Sequence, residues 1–470
     1  MAMSTQYGAS VSPPWHHVGD GSWLALAALV VVATWRGLVA GLVVGAVLSL
    51  AAVVADRPVR PVVVVLAAAL VVAAAERSSE VWSQAEARHT GPVEGWVRLA
   101  GDPERVGRGV RAVVEVEGER FTAWVFSGRS ERLLTVMAGD HVWLRGTRHA
   151  VPDRRSLVRH VVGRIEVDVV GDVRRAGFPH RPGNRLRAAL RASAEEVMDP
   201  HEAALFRGLV IGDDSGQPSW MIEAFRASGL SHLTAVSGQN VAYLLAGVAP
   251  LLRRLGPRRR WVATVLLIGW FALVTRLEPS VLRASAMAVL AVTASAVGRR
   301  ITVVRSMAVT VVALLLLDPM LAWSVGFWLS VGATAGVALA TPWWWARLAG
   351  PDWWRGPLAV TLGAQCGVAL PSVLVFGRLP VVSLAANLLA MPVAGLVMSC
   401  GAPVALVGRL VPMAVRSVWL WPLEVGTRWV RWVAETASGL EPGGRTTAVL
   451  WCGVLVTLFV TRRRSDGVTP

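Results

Sequence analysis

Long apolar runs separated by short arginine-rich turns set the pattern of this chain. Three of them, about Trp23 to Thr34, Gly37 to Ala55 and Pro61 to Ala75, follow one another so closely that only tight helical hairpins fit between them. A second set of about seven to nine runs extends from about Gly229 to Val460 and includes Val281 to Val297, Ser306 to Leu317 and Thr447 to Val460. Several reach or approach the roughly 20 residues needed to cross a bilayer. A core helix of a soluble protein needs one apolar stripe, whereas these segments are apolar all round. The pattern therefore predicts a mostly α fold, a polytopic membrane bundle with N-terminal hairpins over residues 1–76 and a main helical domain over 229–460.

Between these blocks the period changes. From Gly91 to about Val173 no run is long enough to span a membrane, and apolar and polar residues alternate instead. Val93 to Leu99, Arg111 to Glu117, Phe121 to Phe126, His141 to Gly146 and Val161 to Val170 read as short strands bounded by Gly and Asp turns. Five such strands predict a small inserted β-barrel over residues 77–175, for which an OB-type barrel is the natural candidate. Trp96, Phe121, Trp124, Phe126 and Trp143 are expected mainly in its core, with base stacking as the alternative. Residues 176–228 form a linker with amphipathic helices, and its Arg181, Arg185, Arg187 and Arg191 suit lipid headgroups or, less well, a phosphate backbone.

Charge adds orientation. The net charge is +16 over 470 residues, and every one of the 47 basic side chains counted with lysine is arginine. Much of the excess lies in turns: Arg253, Arg254, Arg258, Arg259 and Arg260; Arg299, Arg300 and Arg305; and Arg462 to Arg464. Cytoplasmic loops of membrane proteins carry such an excess. This puts both termini and the tail 461–470 in the cytoplasm and the β-module outside. The module itself holds 15 arginines against 12 acids over residues 91–175, so charge alone does not make it a nucleic-acid binder. Between Gly408 and Arg445, Trp419, Trp421, Trp429 and Trp432 alternate with Arg416, Arg428 and Arg431, as in an interfacial amphipathic helix or one further span. The first run leads straight into two more and reads as an anchor, not as a cleavable signal. Cys366, Cys400 and Cys452 have no CxxC spacing and indicate neither zinc nor disulfides, and no cofactor is expected.

The candidate chemistry is concentrated in a few polar insertions. Gly229 to Val241 carries His232, Ser237, Gly238, Gln239 and Asn240 at the mouth of an apolar segment. An unpaired polar group in hydrocarbon costs roughly 2 to 7 kcal/mol, so such groups face a partner, a substrate or water inside the protein. Arg283 lies inside an apolar stretch, where a charge is rare. It either lines a path or forms a buried pair with Glu278, Asp213 or Asp214. His232 reads as a structural or lining histidine, and Asp318 before Pro319 as a helix terminus. Ser330 adds a hydroxyl, Gly229, Gly238 and Gly326 permit close helix approach, and Asn387 and Gln365 suit interhelical hydrogen bonds.

Four blocks in order resemble the signature of the ComEC competence protein family. The first runs from Phe206 through Gly212-Asp213-Asp214 and Gly216 to Ser231-His232 and Ser237-Gly238. Pro279-Ser280-Val-Leu-Arg283-Ala284 with Met287 is the second, and Leu317-Asp318-Pro319 through Gly326-Phe327-Trp328-Leu329-Ser330 the third. Gln365 to Pro371 and Asn387 to Pro392 complete the series. The resemblance implies an inner-membrane channel component that passes single-stranded DNA into the cytoplasm during natural transformation. His232, Ser237, Gln239, Asn240, Arg283, Asp213, Asp214 and Ser330 would then lie along the path. It also implies partners: single-stranded DNA, membrane lipids, a separate DNA receptor, a cytoplasmic ATP-driven motor and a second copy in a homodimer.

The chain departs from the family pattern at three points. The family's metallo-β-lactamase-like domain, with its His-x-His-x-Asp-His series, is expected to be absent, so no enzyme activity is expected. Where many relatives have Ser-Gly-Leu-His, this chain has Ser237-Gly238-Gln239-Asn240, and the family's glutamine before Leu-Ser is Trp328. The Asn240 amide exchanges neutral hydrogen bonds where an imidazole could be charged or a ligand, so a role resting on proton transfer or metal binding by that histidine is not expected here, while lining or packing is. The competing functions are a secondary transporter with a midplane site, which inverted repeats would favour, and a membrane scaffold whose β-module binds a partner. A nuclease would need clustered ligands beyond Asp213 and Asp214.

Overall fold

The protein is described by a computed structural model over residues 18–37, 61–83, 89–126, 130–150, 154–234, 237–377, 379–442, 446 and 451. The expected run beyond Gly37, nearly all of Thr447 to Val460 and the tail 461–470 lie outside those residues. In chain order come helices α1 (Val18–Arg36) and α2 (Pro61–Ser83), then strands β1 (Gly91–Leu99), β2 (Glu104–Val106), β3 (Gly109–Val116) and β4 (Glu119–Val125). Helix α3 (Ser130–Leu134), strand β5 (His141–Ala150), helix α4 (Arg154–Leu157) and strand β6 (Val161–Arg174) follow. The remaining helices are α5 (His180–Glu195), α6 (Pro200–Ile211), α7 (Ser219–Ala227), α8 (Ser231–Thr234), α9 (Gly238–Leu252) and α10 (Pro257–Val274). After them come α11 (Pro279–Ala296), α12 (Val303–Leu317), α13 (Val325–Trp345), α14 (Asp352–Phe376), α15 (Ser383–Gly408) and α16 (Met413–Leu440).

The chain divides into two compact units, Met1–Glu80 with Arg300–Ala322, and Val81–Arg299 with Trp323–Pro470. In the first, Leu29 and Ala33 of α1 pack on Val71 and Ala75 of α2, and Ser78 Oγ donates to Thr34 O over 3.0 Å. Asp318 caps the C-terminus of α12, and its carboxylate accepts from Met320 N at 3.0 Å, the helix-terminus role expected of it.

In the second unit the alternating segments form one sheet in the order β1-β5-β6-β4-β3-β2, with a further antiparallel pairing of β1 on β3. The β4–β6 pair is parallel and the others are antiparallel. The five expected strands are all present, and a short sixth, β2, hangs on β3. Period-two alternation puts Val97, Val110, Val114, Phe121, Val142 and Ile165 on the inner face. Of the five aromatic residues assigned to this core, only Phe121 is in it. Trp96 and Trp143 face each other across β1 and β5 on the outer face, where the Arg174 guanidinium stacks over Trp96 at 3.9 Å. Trp124 stacks on Phe126 at 5.7 Å with the rings nearly parallel, and Phe126 is 68% exposed. The inner face is filled by β-branched and small side chains whose volumes already close it, which leaves the indoles outside.

Four of the described helices, α11, α13, α14 and α15, are long and apolar enough to cross a membrane. The closest pair is α13 with α14, joined through Gly332 and Gly336 on one helix and Gly363 and Gly367 on the other. Each set has the small-xxx-small spacing that lets helix backbones touch. A Cβ on Gly332 would lie 2.5 Å from Gly367 O, and one on Gly336 would run into Gly363 O. Elsewhere the core is built around α6, whose Leu205, Phe206 and Leu209 are fully buried among α7, α15 and α16. Glu202 of α6 is buried and paired by Arg431 of α16 at 2.7 Å.

Candidate substrate path

Three helices that begin at the same end of the bundle meet around Arg283. This residue is the fifth of α11, about 6 Å along the helix from Pro279 at the standard rise. It is 5% exposed. Its Nε and one Nη donate to Ser330 Oγ at 3.0 and 2.7 Å, and its other Nη lies 3.0 Å from Met287 Sδ one turn on. Ser330 is the sixth residue of α13, and Gly238 is the first of α9. A Cβ on Gly238 would come within 2.9 Å of Ala284 Cβ and 3.7 Å of the guanidinium, so glycine is what brings the start of α9 against the arginine. The second and third motif blocks thus close on each other, with the Ser of one receiving the Arg of the other.

The acidic partner expected for Arg283 is not there. Among the described residues no carboxylate lies within ion-pair distance of it, neither Glu278 nor Asp213 nor Asp214, and a hydroxyl and a thioether take their place. The N-terminus of α9, which begins at Gly238 against the guanidinium, adds its partial positive charge there. The result is a buried cation in a positive field with no counter-ion, an arrangement complementary to an anion.

Around the start of α9 the other candidates are held by neighbours. Ser237 is the N-cap, with its hydroxyl accepting from Gln239 N at 3.3 Å. Asn240 is buried and donates to Leu209 O of α6 at 3.2 Å. Gln239 donates to Tyr243 Oη at 2.6 Å. His232 is exposed on α8 with Nδ1 3.1 Å from Gly229 O. Gly229 has φ +75° and approaches Ser383, the residue that accepts from Gln365 Nε2, so α8, α14 and α15 meet there.

Asp213 belongs to a separate cluster. Its carboxylate accepts from Ser215 and lies 3.3 Å from Arg191, 3.4 Å from Arg207 and 3.7 Å from Arg187. Arg187 and Arg207 are each about 5% exposed, and Arg187 also donates to Ile211 O and Val274 O, the last carbonyls of α6 and α10. The expectation that Arg187 and Arg191 lie on headgroups therefore fails: both are drawn inward by Asp213. Asp214 lies beside this cluster, and loss of water together with the nearby Glu104 and Asp213 carboxylates pushes its carboxyl above the usual range. Two packing assignments also fail. A Cβ on Gly326 would meet nothing within 4 Å, and Asn387 Oδ1 is buried without a hydrogen-bond partner among the described residues. An apolar cavity of about 570 Å³ between α15 and α16, lined by Leu396, Cys400, Val418 and Trp419 among others, includes none of the candidate residues. Among the described residues no group of three His, Cys, Asp or Glu side chains could hold a metal.

Sequence reasoning passed over Asp102, in the turn between β1 and β2. Its carboxylate is gripped by Arg276 at 2.6 and 3.0 Å, by Arg187 at 3.0 Å and by Ala138 N at 2.8 Å. Burial raises the Asp102 and Asp213 carboxyls, but the arginines around them outweigh it and hold both below the ordinary carboxylate range. A group depressed in the folded state stabilises above its unfolded pKa and loses that contribution as pH falls through the folded value. The melting temperature of the purified protein should therefore be insensitive to these groups from neutrality to about pH 5 and drop below about pH 4. Asp213→Asn, which strips the partner from buried arginines, should cost on the order of 3 kcal/mol at pH 7 and flatten the acid limb. A variant melting curve that runs parallel to wild type across that range would refute the assignment.

A bundle with four membrane-length helices and an inserted sheet module has the build of a polytopic membrane protein. The chain belongs to the Competence protein family, which it matches over residues 209–464, just over half its length. It is 28% identical to Competence protein ComA of Neisseria gonorrhoeae over 282 residues, 57% of this chain and 39% of that one. To ComE operon protein 3 of Bacillus subtilis (strain 168) it is 27% identical over 158 residues, 33% of this chain and 20% of the relative. Uncharacterized protein YcaI of Escherichia coli (strain K12) is 28% identical over 229 residues, 45% of this chain and 30% of its own. The chain thus covers about two-fifths or less of each of these relatives. No solved structure matches. The motif resemblance is borne out, and with the four apolar helices it makes this a membrane protein of the competence class.

Proposed function

We propose that the protein is the inner-membrane channel component through which one DNA strand enters the cytoplasm during natural transformation. The observation that carries this reading is the buried, counter-ion-free Arg283 where α11, α13 and the start of α9 meet. A single strand bears one negative charge per phosphate, and a membrane path for it needs fixed positive charge with walls able to hydrogen-bond. Ser330, Ser237, Gln239 and Asn240 supply those walls in the second unit.

The module supports the same reading. Its strand pairing, with β1 returning to β3 and β4 parallel to β6, fits an OB-type five-stranded barrel with β2 appended. Its outer indoles and the arginines beside them form stacking faces suited to unpaired bases of any sequence. With arginine turns inside, the module faces outward and the strand passes from it to Arg283 at the near end of α11. The chain acts as a conduit and not as a catalyst, with a DNA receptor and an ATP-driven motor as separate proteins.

The test is uptake of labelled DNA into a nuclease-protected state in a transformable strain deleted for this gene. Wild-type complementation should restore it. The Trp96→Ala plus Trp124→Ala protein should bind single strands at least about 30-fold more weakly, from the loss of about 1–3 kcal/mol at each of two stacking faces, while the sheet stays folded. Full uptake in the deletion strain would end the reading.

A further inference from the structure

We infer that Asp102 is a positioning residue: by gripping Arg276 it fixes the turn that starts α11 and so sets where Arg283 stands. The inference rests on Arg283 being the path residue, and it assigns to the β-module a mechanical hold on that residue that no sequence motif marks.

The turn between α10 and α11 is only Thr275 to Glu278, and two of its residues are in the left-handed region, Arg276 at φ 61° and Leu277 at φ 57°. Neither is glycine or asparagine, so this backbone is strained and persists only where surroundings enforce it. What enforces it is visible. Asp102 takes Arg276 in a two-pronged grip, and Asn184 Oδ1 of α5 accepts from the same guanidinium at 2.8 Å. Arg187 bridges Asp102 to Val274 O, the last carbonyl before the turn. From Leu277 the chain goes directly into Glu278 and Pro279, and Leu282 N donates to Glu278 O at 2.9 Å. Arg283 follows within the same turn of helix. A shift of the β1–β2 loop therefore releases the strained residues first and reaches Arg283 through one turn of α11.

The other contacts of the module with this surface lie on α5: Asn184 donates to Ala138 O at 3.0 Å, and the His180 ring fills the space above Gly139. They would keep the module docked when Asp102 is neutralised, which makes the grip separable from docking.

The experiment is hydrogen exchange by mass spectrometry on the detergent-purified full chain, with uptake measured in parallel. Asp102→Asn should raise exchange at least about tenfold across residues 276–283, beyond the loop that carries the mutation. Arg276→Asn, which tolerates the left-handed backbone but has no guanidinium, should raise it less. Adding Leu277→Gly to Asp102→Asn should restore protection, because glycine holds that conformation without enforcement; lost docking would not be rescued so far from the carboxylate. Asp102→Asn should also lower uptake about tenfold, and should add nothing to the loss caused by Arg283→Gln. Exchange that rises only in the loops at 99–104 and 136–140, or that Leu277→Gly fails to rescue, overturns the inference. If residues 276–283 loosen as expected while Arg283→Gln and Asp102→Asn both import DNA normally, the grip stands and the reading of Arg283 as the path residue is what fails.

Discussion

Arg283→Glu should reduce transformation by at least about 100-fold while leaving the protein at wild-type level in the membrane. A charge-assisted contact to phosphate is worth about 1.5–3 kcal/mol, and reversal adds a repulsion of comparable size, so about 3–6 kcal/mol separates the two proteins, roughly 10² to 10⁴ in rate. The protein should tolerate the change because position 283 has no carboxylate neighbour that a new acid would repel, and Ser330 can turn its hydroxyl to donate. Arg283→Lys keeps the charge but cannot offer Nε and Nη to Ser330 together, and it should retain roughly a tenth of the activity. Transformation frequency against immunoblotted membrane fractions measures both. Normal transformation by the glutamate variant, properly inserted, would remove the main support for a path at this site.

Gly367→Leu should give the largest structural effect. At this position even a methyl group would occupy the space of Gly332 O, and Gly336 N lies 2.9 Å from it. Side-chain rotation cannot relieve a clash with backbone, so α13 and α14 must separate along their whole seam. Overpacking alone costs about 1–3 kcal/mol, and losing the neighbouring glycine contacts adds to that. Thermal unfolding in detergent should show a drop of several degrees or no folded protein at all, whereas Gly326→Ala, with open space around it, should be silent. Equal stability of the two variants would mean that the seam does not hold the helices.

The contrast between these glycines shows how much could be read from the chain. Hydrophobic period separated helices from strands correctly, because burial dictates both, and Arg283 and Ser330 stood out as polar groups among apolar ones. Their pairing across 47 residues could not be read, since period gives a face and not a partner. Gly326 attracted attention through its motif, while Gly332, Gly336, Gly363 and Gly367 carry the contact and were hidden in a glycine-rich background; their spacing was the available signal. Asp102 in Gly-Asp-Pro looks like an ordinary turn residue, and Arg187 like one more basic side chain. Their roles depend on a docking geometry between distant segments that no local pattern encodes. The aromatic residues of the module misled for a related reason: alternation assigned them to one of two faces, and which face turned inward depended on the volume already filled by valines.

Helix α13 has two unequal flanks. On one it packs against α14 backbone to backbone, while on the other the Arg283 guanidinium bonds the Ser330 hydroxyl across to α11. If the protein conducts a polymer as proposed, the α11–α13 flank would be the weaker of the two to open, with α13 and α14 moving together. A phosphate entering there would compete with Ser330 for the Arg283 guanidinium.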